Sequence, residues 1–287
     1  MQNFRYVLCD VFTDRPLEGN PLAVFTDARG LDASTMQALA REMNLSETVF
    51  VLPAESEGDA RIRIFTPAME VAFAGHPTLG AAFVLGQPLQ RMTIGLETGA
   101  GIIQVSLERE GDRLVFGWMR QPIPRIEPYP AVPELLAGLG AKGSEIPVEM
   151  FDNGFGHVFV MLGSEAEVSG LRPDFRRLAS LPIPSTISAF CHAGAHWKTR
   201  VFAPAGGVNE DPATGSAAGP LALHLARNGL ISFGQRIRIE QGVEIQRPSV
   251  LSACVFGTFE HVERVEVGGS AVVVARGEVR LAPRPRS

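Results

Sequence analysis

The sequence predicts an α+β protein in which strands dominate and two similar halves follow each other along the chain. Three observations support this prediction. Short runs of alternating or continuous apolar residues, typical of strands, recur along most of the sequence. The few helical patterns between them lack the regular strand–helix alternation of a doubly wound fold. Each half also contains one helix that opens directly after a turn of small residues.

The strand and helix patterns can be assigned in chain order. The strand pattern occurs at residues 6–12, 23–26, 48–52, 60–65, 101–107, 113–118, 148–151, 157–162, 187–191, 198–203, 236–241, 250–256 and 272–281. The helical pattern occurs at residues 33–43, 77–85, 133–139, 173–180 and 215–228. Pro77 fits the first position of its helix, with His76 as the cap, because that position needs no N–H partner. Gly229 supplies a left-handed stop after the last helix.

A proline-rich segment divides the chain near its middle. Residues 121–133, QPIPRIEPYPAVP, include five prolines. Because proline lacks an N–H donor and fixes its own φ angle, we expect no regular element here and interpret the segment as a linker. The predicted organisation is an N-terminal lobe at residues 1–120 and a C-terminal lobe at 134–287, whose last strand can return to the first lobe. The tail at 282–287, APRPRS, is expected to be disordered.

Composition argues against several kinds of partner. The net charge is −5 with Lys and Arg scattered along the chain, so we expect no basic face for nucleic acid. No stretch approaches about 18 uninterrupted apolar residues, so we expect no membrane span and a cytoplasmic location. Cys9, Cys191 and Cys254 lie far apart and are expected to be buried thiols. Neither a metal site nor a cofactor is predicted.

Two short segments, one in each half, indicate an internal duplication. They are FAGHPTLGAAFVLG and DPATGSAAGPLALHLARNG, and aligning Ala74 with Pro212 gives an offset of 138 residues. Each predicts a helix whose first N–H groups, at the positive end of the helix dipole, can bind an anion such as a carboxylate. Tight helix packing is the alternative explanation for one copy alone. Two matched copies favour a cleft between the halves that binds a small acidic molecule.

Three side chains near these turns are candidates for acid–base chemistry. Asp211 precedes the second turn, and His76 lies in the first. Glu47 falls between the first predicted helix and a strongly apolar strand, where desolvation would raise its pKa as a proton shuttle near neutral pH requires. A solvated loop glutamate is the alternative on local sequence. Asn20 is most simply a turn residue of a hairpin.

Four motifs in order across nearly the whole chain resemble the PhzF family of phenazine-biosynthesis-like proteins, which share the diaminopimelate epimerase fold. The motifs are DVFTDRPLEGNPLAVF, REMNLSETVFVL, FTPAMEVAFAGHPTLGAA and EDPATGSAAGPLALHL, and the stretches QPIP, GHVFV and QGVEIQRPS add to the resemblance. The resemblance implies a homodimer of chains with two pseudo-symmetric lobes. Each lobe would be a mixed β-sheet or barrel around a central helix, with a cofactor-free site in the cleft between the lobes.

The resemblance also implies roles for residues of this sequence. The catalytic glutamate of the family falls on Glu47, and His76 and Asp211 would be catalytic residues that position the substrate and tune that glutamate. The substrate-binding positions fall on Asn20, Ser46, Gly75, Gly215 and Ser216. The epimerases of this fold carry a cysteine in each duplicated turn. This sequence has Ala74 and Pro212 at the aligned places, which excludes racemisation by two thiols.

The implied reaction is the isomerisation of a dihydro-hydroxyanthranilate held by its carboxylate at the backbone N–H groups around Gly215 and Ser216. Ionised Glu47 would remove the proton from C3 and return it to C1, giving an enol that becomes a ketone. Other readings remain open from the residues. One is an isomerase of a different small carboxylic acid, and another is a racemase or epimerase that uses Glu47 against Asp211 or His76. A third is a protein that binds small acids without chemistry.

Overall fold

The computed structural model describes residues 2–281, so the disorder expected for 282–287 concerns residues outside the described part. The strands are β1 Gln2–Val11, β2 Asn20–Phe25, β3 Thr48–Leu52, β4 Ala60–Phe65, β5 Glu70–Val71, β6 Thr93–Thr98, β7 Gly101–Glu110, β8 Arg113–Gln121, β9 Arg125–Pro128, β10 Glu149–Asp152, β11 Gly156–Met161, β12 Thr186–Ala193, β13 His196–Ala203, β14 Val208–Asp211, β15 Ile237–Gln241, β16 Ser249–Gly257, β17 Val262–Gly269 and β18 Ala271–Leu281. The α-helices are α1 Ala33–Met43, α2 Gly75–Leu89, α3 Val132–Leu139, α4 Glu165–Gly170, α5 Phe175–Ala179 and α6 Gly215–Arg227.

The strands join one continuous sheet whose two halves repeat the same order of pairings. In the first half, β2 is parallel to β3, β3 antiparallel to β4 and β4 parallel to β6, and β7 and β8 follow antiparallel. In the second half, β11, β12, β13, β15, β16 and β17 follow one another with the same parallel and antiparallel steps. The halves meet where β8 pairs with β17. The α+β class is confirmed, and this repetition is the structural form of the duplication that the sequence indicated.

The two halves also exchange their last strands. β9 follows the first half but pairs with β10 of the second, whereas β18 follows the second half but pairs with β1 of the first. The expectation that residues 121–133 contain no regular element is therefore wrong. Proline is tolerated because Pro128 is the last residue of β9, and β10 is the one strand paired with β9 in the described chain. The sheet places β9 with the C-terminal half, which the predicted lobes did not foresee, whereas β18 returns to β1 of the N-terminal half as was expected of the last strand.

Helices α2 and α6 are the central helices of the two halves, and most of their residues are buried, except at the C-terminal end of α2. α6 begins at Gly215, as predicted, and Gly229 follows it with a φ of 71° as the left-handed stop. α2 begins at Gly75, so its cap is Ala74, and the prediction of His76 as the cap is wrong. His76 is instead a residue of the first helical turn.

The starts of α2 and α6 correct the alignment of the two halves. The offset between Gly75 and Gly215 is 140 residues rather than 138. Ala74 therefore corresponds to Thr214 and not to Pro212. Because neither Ala74 nor Thr214 is a cysteine, the exclusion of a two-thiol mechanism holds in the corrected alignment.

Five strands had no predicted counterpart, namely β5, β6, β9, β14 and β17. β17 was missed because Glu263, Arg264 and Glu266 interrupt its short apolar pattern, yet Val265 and Val267 alternate into the core. The three cysteines are buried free thiols, as predicted. Within residues 2–281, no helix has both the length and the apolar content needed to cross a bilayer.

Candidate active site

Glu47 lies in the short connection between α1 and β3, where the sequence predicted it. α1 ends at Met43, and its C-cap residue Asn44, with a left-handed φ of 51°, turns the chain toward β3. Because β3 is an apolar, buried strand, the connection lies close to the core. The Glu47 side chain is therefore only 19% exposed. Its Oε2 atom lies 3.4 Å from Nδ1 of His76. A solvated loop glutamate, the alternative on local sequence, does not describe this residue.

Asp211 ends β14 and accepts three side-chain hydrogen bonds. Asn20 Nδ2 donates to its Oδ1 at 2.9 Å and Ser46 Oγ donates to the same atom at 3.1 Å. Thr214 Oγ1 donates to Oδ2 at 2.6 Å. Since Asn20 and Ser46 belong to the N-terminal half, this carboxylate joins the two halves at the site.

Asn20 and Gln241 fix the turn that leads into α6. Asn20 is fully buried and also donates to the carbonyl of Ala213 at 2.9 Å, so it is a cross-lobe contact and not simply a residue of a hairpin turn. Gln241 Nε2 donates to the carbonyl of Asp211 at 2.7 Å, and Gln241 Oε1 accepts from the N–H of Thr214 at 3.1 Å. The turn is therefore held from both halves.

The N-termini of α2 and α6 touch. A Cβ atom built on Gly75 would lie 2.5 Å from the nitrogen of Ser216 and 2.6 Å from the carbonyl carbon of Gly215. Both neighbours are backbone atoms, which cannot move aside as a flexible side chain could. Gly75 is thus required for the two helix starts to approach, and the sequence prediction of two opposed helix ends matches this geometry.

Both helix starts leave N–H donors available. Neither Ala74 nor Thr214, the two N-cap residues, caps its helix with a side-chain hydrogen bond. Within the described chain, no hydrogen bond uses the N–H groups of four residues at the junction, namely Gly75, His76, Gly215 and Ser216. Unpaired N–H groups at two positive helix ends form a binding site for an anion.

The two carboxyl groups of the site differ in their surroundings. Burial, with the charge of Asp211 as the second cause, raises the pKa of Glu47 well above its ordinary value of 4.5. Burial also raises the pKa of Asp211, to about 6, and its bonds from Thr214, Asn20 and Ser46 oppose that rise. Because these donors stabilise the ionised form of Asp211, the pair holds its proton preferentially on Glu47. The predicted rise in the Glu47 pKa thus has burial as its main cause.

His76 is a neutral imidazole. Its side chain is 3% exposed, and this burial lowers the histidine pKa from 6.5 to about 3. Nε2 is buried and has no hydrogen-bond partner in the described chain. A buried ring nitrogen without a partner is available to a polar group of a bound molecule.

The structure brings all eight predicted site residues to one place at the junction of the halves: Asn20, Ser46, Glu47, Gly75, His76, Asp211, Gly215 and Ser216. Their chemical roles stay predictions. Sequence reasoning missed four residues that support them: Gln121, Asn153, Thr214 and Gln241. Gln121 and Gln241 are the first residues of QPIP and QGVEIQRPS, two stretches that contributed to the family resemblance. Their place in these stretches was a sequence signal that could have identified them.

Comparison with known proteins places this arrangement in a family. The model of the PhzC-PhzF family, described as phenazine biosynthesis-like protein, matches residues 9–277. The chain belongs to this family. It is 51% identical over 277 residues to the trans-2,3-dihydro-3-hydroxyanthranilate isomerase of Pseudomonas aeruginosa, covering 96% of this chain and 99% of that protein.

Solved structures agree with the family assignment. A PhzF-family phenazine biosynthesis protein from Bacillus anthracis superposes with a TM-score of 0.86 at 26% identity, covering 98% of this chain and all of that one. A hydroxyproline epimerase from Agrobacterium vitis superposes with a TM-score of 0.66 at 11% identity, covering 96% of this chain and 92% of that one. At that identity the likeness shows the fold alone, which is the epimerase-like fold that the sequence predicted.

Proposed function

We propose that this PhzF-family chain is an isomerase that converts trans-2,3-dihydro-3-hydroxyanthranilate to its ketone tautomer. One observation carries the proposal: the largely buried Glu47 carboxyl group, with its raised pKa, lies beside two touching helix starts whose N–H groups are unpaired. The helix starts supply a place for a carboxylate, and Glu47 supplies the proton carrier. The identity of 51% to an isomerase of that name supports the choice of substrate.

The reaction needs one base and no change in oxidation state. Glu47, as a carboxylate, takes the proton from C3, and the C–H electron pair moves through the diene toward C1 and its carboxylate. Glu47, now a carboxylic acid, gives the same proton to C1. The product is an enol at C3, which becomes the ketone. General acid–base catalysis contributes about 10²- to 10⁴-fold, so orientation and the exclusion of water supply the rest.

The N–H groups of the helix starts do more than bind the substrate. Negative charge moves onto the carboxylate as the proton leaves C3, so donors at Gly215 and Ser216 stabilise the transition state more than the ground state. His76 faces Glu47 with Nδ1 and offers Nε2 to the amino or hydroxyl group. Asp211 keeps a negative charge near Glu47 and thereby raises its basicity.

An epimerase is the less supported reading. Epimerisation by two bases needs an acid on the opposite face of the reacting carbon, and the fold's epimerases have a cysteine at each helix start. Ala74 and Thr214 occupy those places here. Asp211 accepts hydrogen bonds from three side chains of the protein. These bonds occupy both of its carboxylate oxygens and disfavour its use as a second acid or base.

Turnover of trans-2,3-dihydro-3-hydroxyanthranilate by the purified protein, followed by its ultraviolet spectrum, tests the proposal. Glu47→Gln keeps the size of the side chain and is expected to reduce turnover by at least about 100-fold while substrate still binds. Glu42→Gln, an exposed position on α1, is the matched control and keeps full activity. Inversion of one centre without movement of a double bond would indicate an epimerase, and binding without turnover would indicate a binding protein. Either outcome contradicts the proposal.

We also propose that the protein works as a cytoplasmic homodimer. β18 is eleven residues long, pairs with β1 in the described chain and includes Val273, which is 43% exposed. An edge strand of this length offers unpaired backbone groups to a second copy. The free thiols at Cys9, Cys191 and Cys254 are consistent with a reducing compartment. Light scattering of the purified protein and cell fractionation test the two statements, and a monomer or a secreted protein contradicts them.

A further inference from the structure

The carbonyl of Ser216 lacks its helical partner. In an α-helix the carbonyl of residue i accepts from the N–H of residue i+4, and four residues after Ser216 comes Pro220, which has no N–H. Asn153 Nδ2 donates to this carbonyl at 2.9 Å. Asn153 therefore supplies, from the β10–β11 connection, the donor that Pro220 removes.

Asn153 is itself held in place by a buried chain of hydrogen bonds. Its Oδ1 lies 3.2 Å from Nε2 of His157, and Nδ1 of His157 lies 2.5 Å from Oγ1 of Thr186. Because Asn153 donates to a carbonyl through Nδ2, its Oδ1 accepts from His157 Nε2, and His157 Nδ1 accepts from the Thr186 hydroxyl. His157 is fully buried, which lowers its pKa to about 3 and keeps it in this neutral form.

Gln121 donates in the same way to the peptide group between Gly215 and Ser216, one residue earlier in α6. Its Nε2 donates to the carbonyl of Gly215 at 2.8 Å. The side chain reaches this carbonyl because the neighbouring helix residue is Gly219, where a Cβ atom would lie 2.4 Å from Gln121 Oε1. In a planar trans peptide the C=O and N–H point in opposite directions, so fixing the carbonyl of Gly215 also fixes the N–H of Ser216. A hydrogen bond to the carbonyl also polarises that N–H.

We propose that Gln121 and Asn153 are positioning residues for the first turn of α6. Gln121 fixes the peptide that carries the unpaired N–H of Ser216. Asn153 fixes the next peptide, whose Ala217 N–H donates to the Thr214 carbonyl at 3.1 Å, and so holds the turn in the shape that aims the N–H groups of Gly215 and Ser216 at a carboxylate. Gly219 and Pro220 are both unfavourable inside an ordinary helix. Here Gly219 leaves room for the Gln121 amide, and Pro220 leaves the Ser216 carbonyl without its helical donor, which Asn153 replaces. The inference rests on the proposed function only in needing a carboxylate at the junction of α2 and α6. It does not depend on which carboxylic acid reacts.

The test compares binding of anthranilate and of its neutral carboxamide, anthranilamide, by calorimetry. The wild-type protein is expected to prefer the carboxylate. Asn153→Leu removes the donor and keeps the branched shape and the number of side-chain heavy atoms. It is expected to reduce this preference about ten-fold, as is Gln121→Met. The ratio of the two affinities separates positioning from general loss of structure, because a merely unstable protein loses affinity for both ligands together.

A double substitution makes the test specific. Pro220→Ala restores an N–H four residues after Ser216, so it is expected to return most of the preference lost in Asn153→Leu. It is expected not to rescue Gln121→Met, since that variant affects a different carbonyl. Pro88→Ala, at an exposed position inside α2, is the matched control and rescues neither variant.

Three results would overturn the proposal. They are no carboxylate preference in the wild-type protein, an unchanged preference in Asn153→Leu or Gln121→Met, and no rescue of Asn153→Leu by Pro220→Ala. The first would place the carboxylate site elsewhere. A protein that fails to isomerise dihydro-hydroxyanthranilate but shows the preference and the rescue would contradict the proposed substrate and leave the positioning roles supported.

Discussion

At the scale of single residues, the site depends on two carboxyl groups that share one low-dielectric region but differ in their hydrogen bonds. Asp211 receives three donors, whereas the side-chain contact of Glu47 is the neutral His76 at 3.4 Å. The proton therefore favours Glu47 in the free protein. Removal of a C–H proton requires Glu47 to be ionised, so activity is expected to rise with pH through its raised pKa.

Asp211→Asn tests this coupling between the carboxyl groups. The asparagine can still accept from Asn20 and Ser46, but it removes the negative charge that is the second cause of the raised Glu47 pKa. The acidic limb of the pH profile of kcat/KM is expected to move to lower pH. The rate at its plateau should also fall, because a weaker base remains. An unchanged acidic limb would show that Asp211 does not tune Glu47.

Glu47→Gln is expected to stabilise the protein while it abolishes turnover. A raised folded-state pKa means that the stabilising contribution of protonated Glu47 is complete below 4.5 and is lost as pH rises through the raised value. Glutamine has no charge to bury, so the gain in unfolding free energy should be about 1–2 kcal/mol at pH 8. The gain should vanish near pH 4. Denaturant titrations at both pH values measure it, and equal effects at the two values would contradict the assignment.

The local sequence predicted these residues unevenly. Glu47 could be placed because it falls between a helix and an apolar strand, and both elements formed as expected. The burial of Asn20 could not be predicted, since its partner Asp211 is 191 residues away in the chain. Gln121 and Asn153 were missed for the same reason, because each bonds to a carbonyl in a distant helix.

At the scale of elements, the close approach of α2 and α6 depends on Gly75. Gly75→Ala would push a methyl group against backbone atoms of Gly215 and Ser216, so the helix starts must separate. We expect at least about 100-fold lower kcat/KM, because a shift of about 1 Å away from productive geometry is costly. The control is Gly143→Ala, where nothing lies within 4 Å of the added atom and φ is not in the left-handed region. Normal activity in Gly75→Ala would show that the helix starts need not touch.

The elements themselves were predictable where pattern and punctuation agreed. α6 begins at the predicted residue because its small residues follow a clear turn and Gly229 marks its end. α2 begins two residues before Pro77, since a proline is tolerated throughout the first turn and does not single out its first position. β9 was hidden by prolines that lie beside or at the end of the strand.

At the scale of the whole molecule, the exchanged strands make the two halves one folding unit. β9 and β18 each complete the sheet of the other half, and β8 joins β17 between them. Thermal unfolding is therefore expected to follow a single cooperative transition with equal calorimetric and van't Hoff enthalpies. Two separate transitions would show that the halves are independent. Sequence periodicity reveals the strands and the duplication, and the return of the last strand was expected. The pairing of β9 with β10 was not foreseen, because β9 is short and proline-flanked and leaves no clear strand pattern.

The central claim is that one carboxylate carries one proton from C3 to C1, and the fate of a labelled proton tests it most directly. Substrate deuterated at C3 is converted in ordinary water, and the deuterium at C1 of the product is measured by mass spectrometry or NMR. Because Glu47 is 19% exposed, exchange with water during transfer should be incomplete, and a measurable fraction of the deuterium is expected at C1. That fraction should be the same at all enzyme concentrations, because the deuterium is transferred within one active site. Either of two results would contradict the account: a wild-type product that carries no deuterium at C1, or an undiminished rate of product formation in Glu47→Gln.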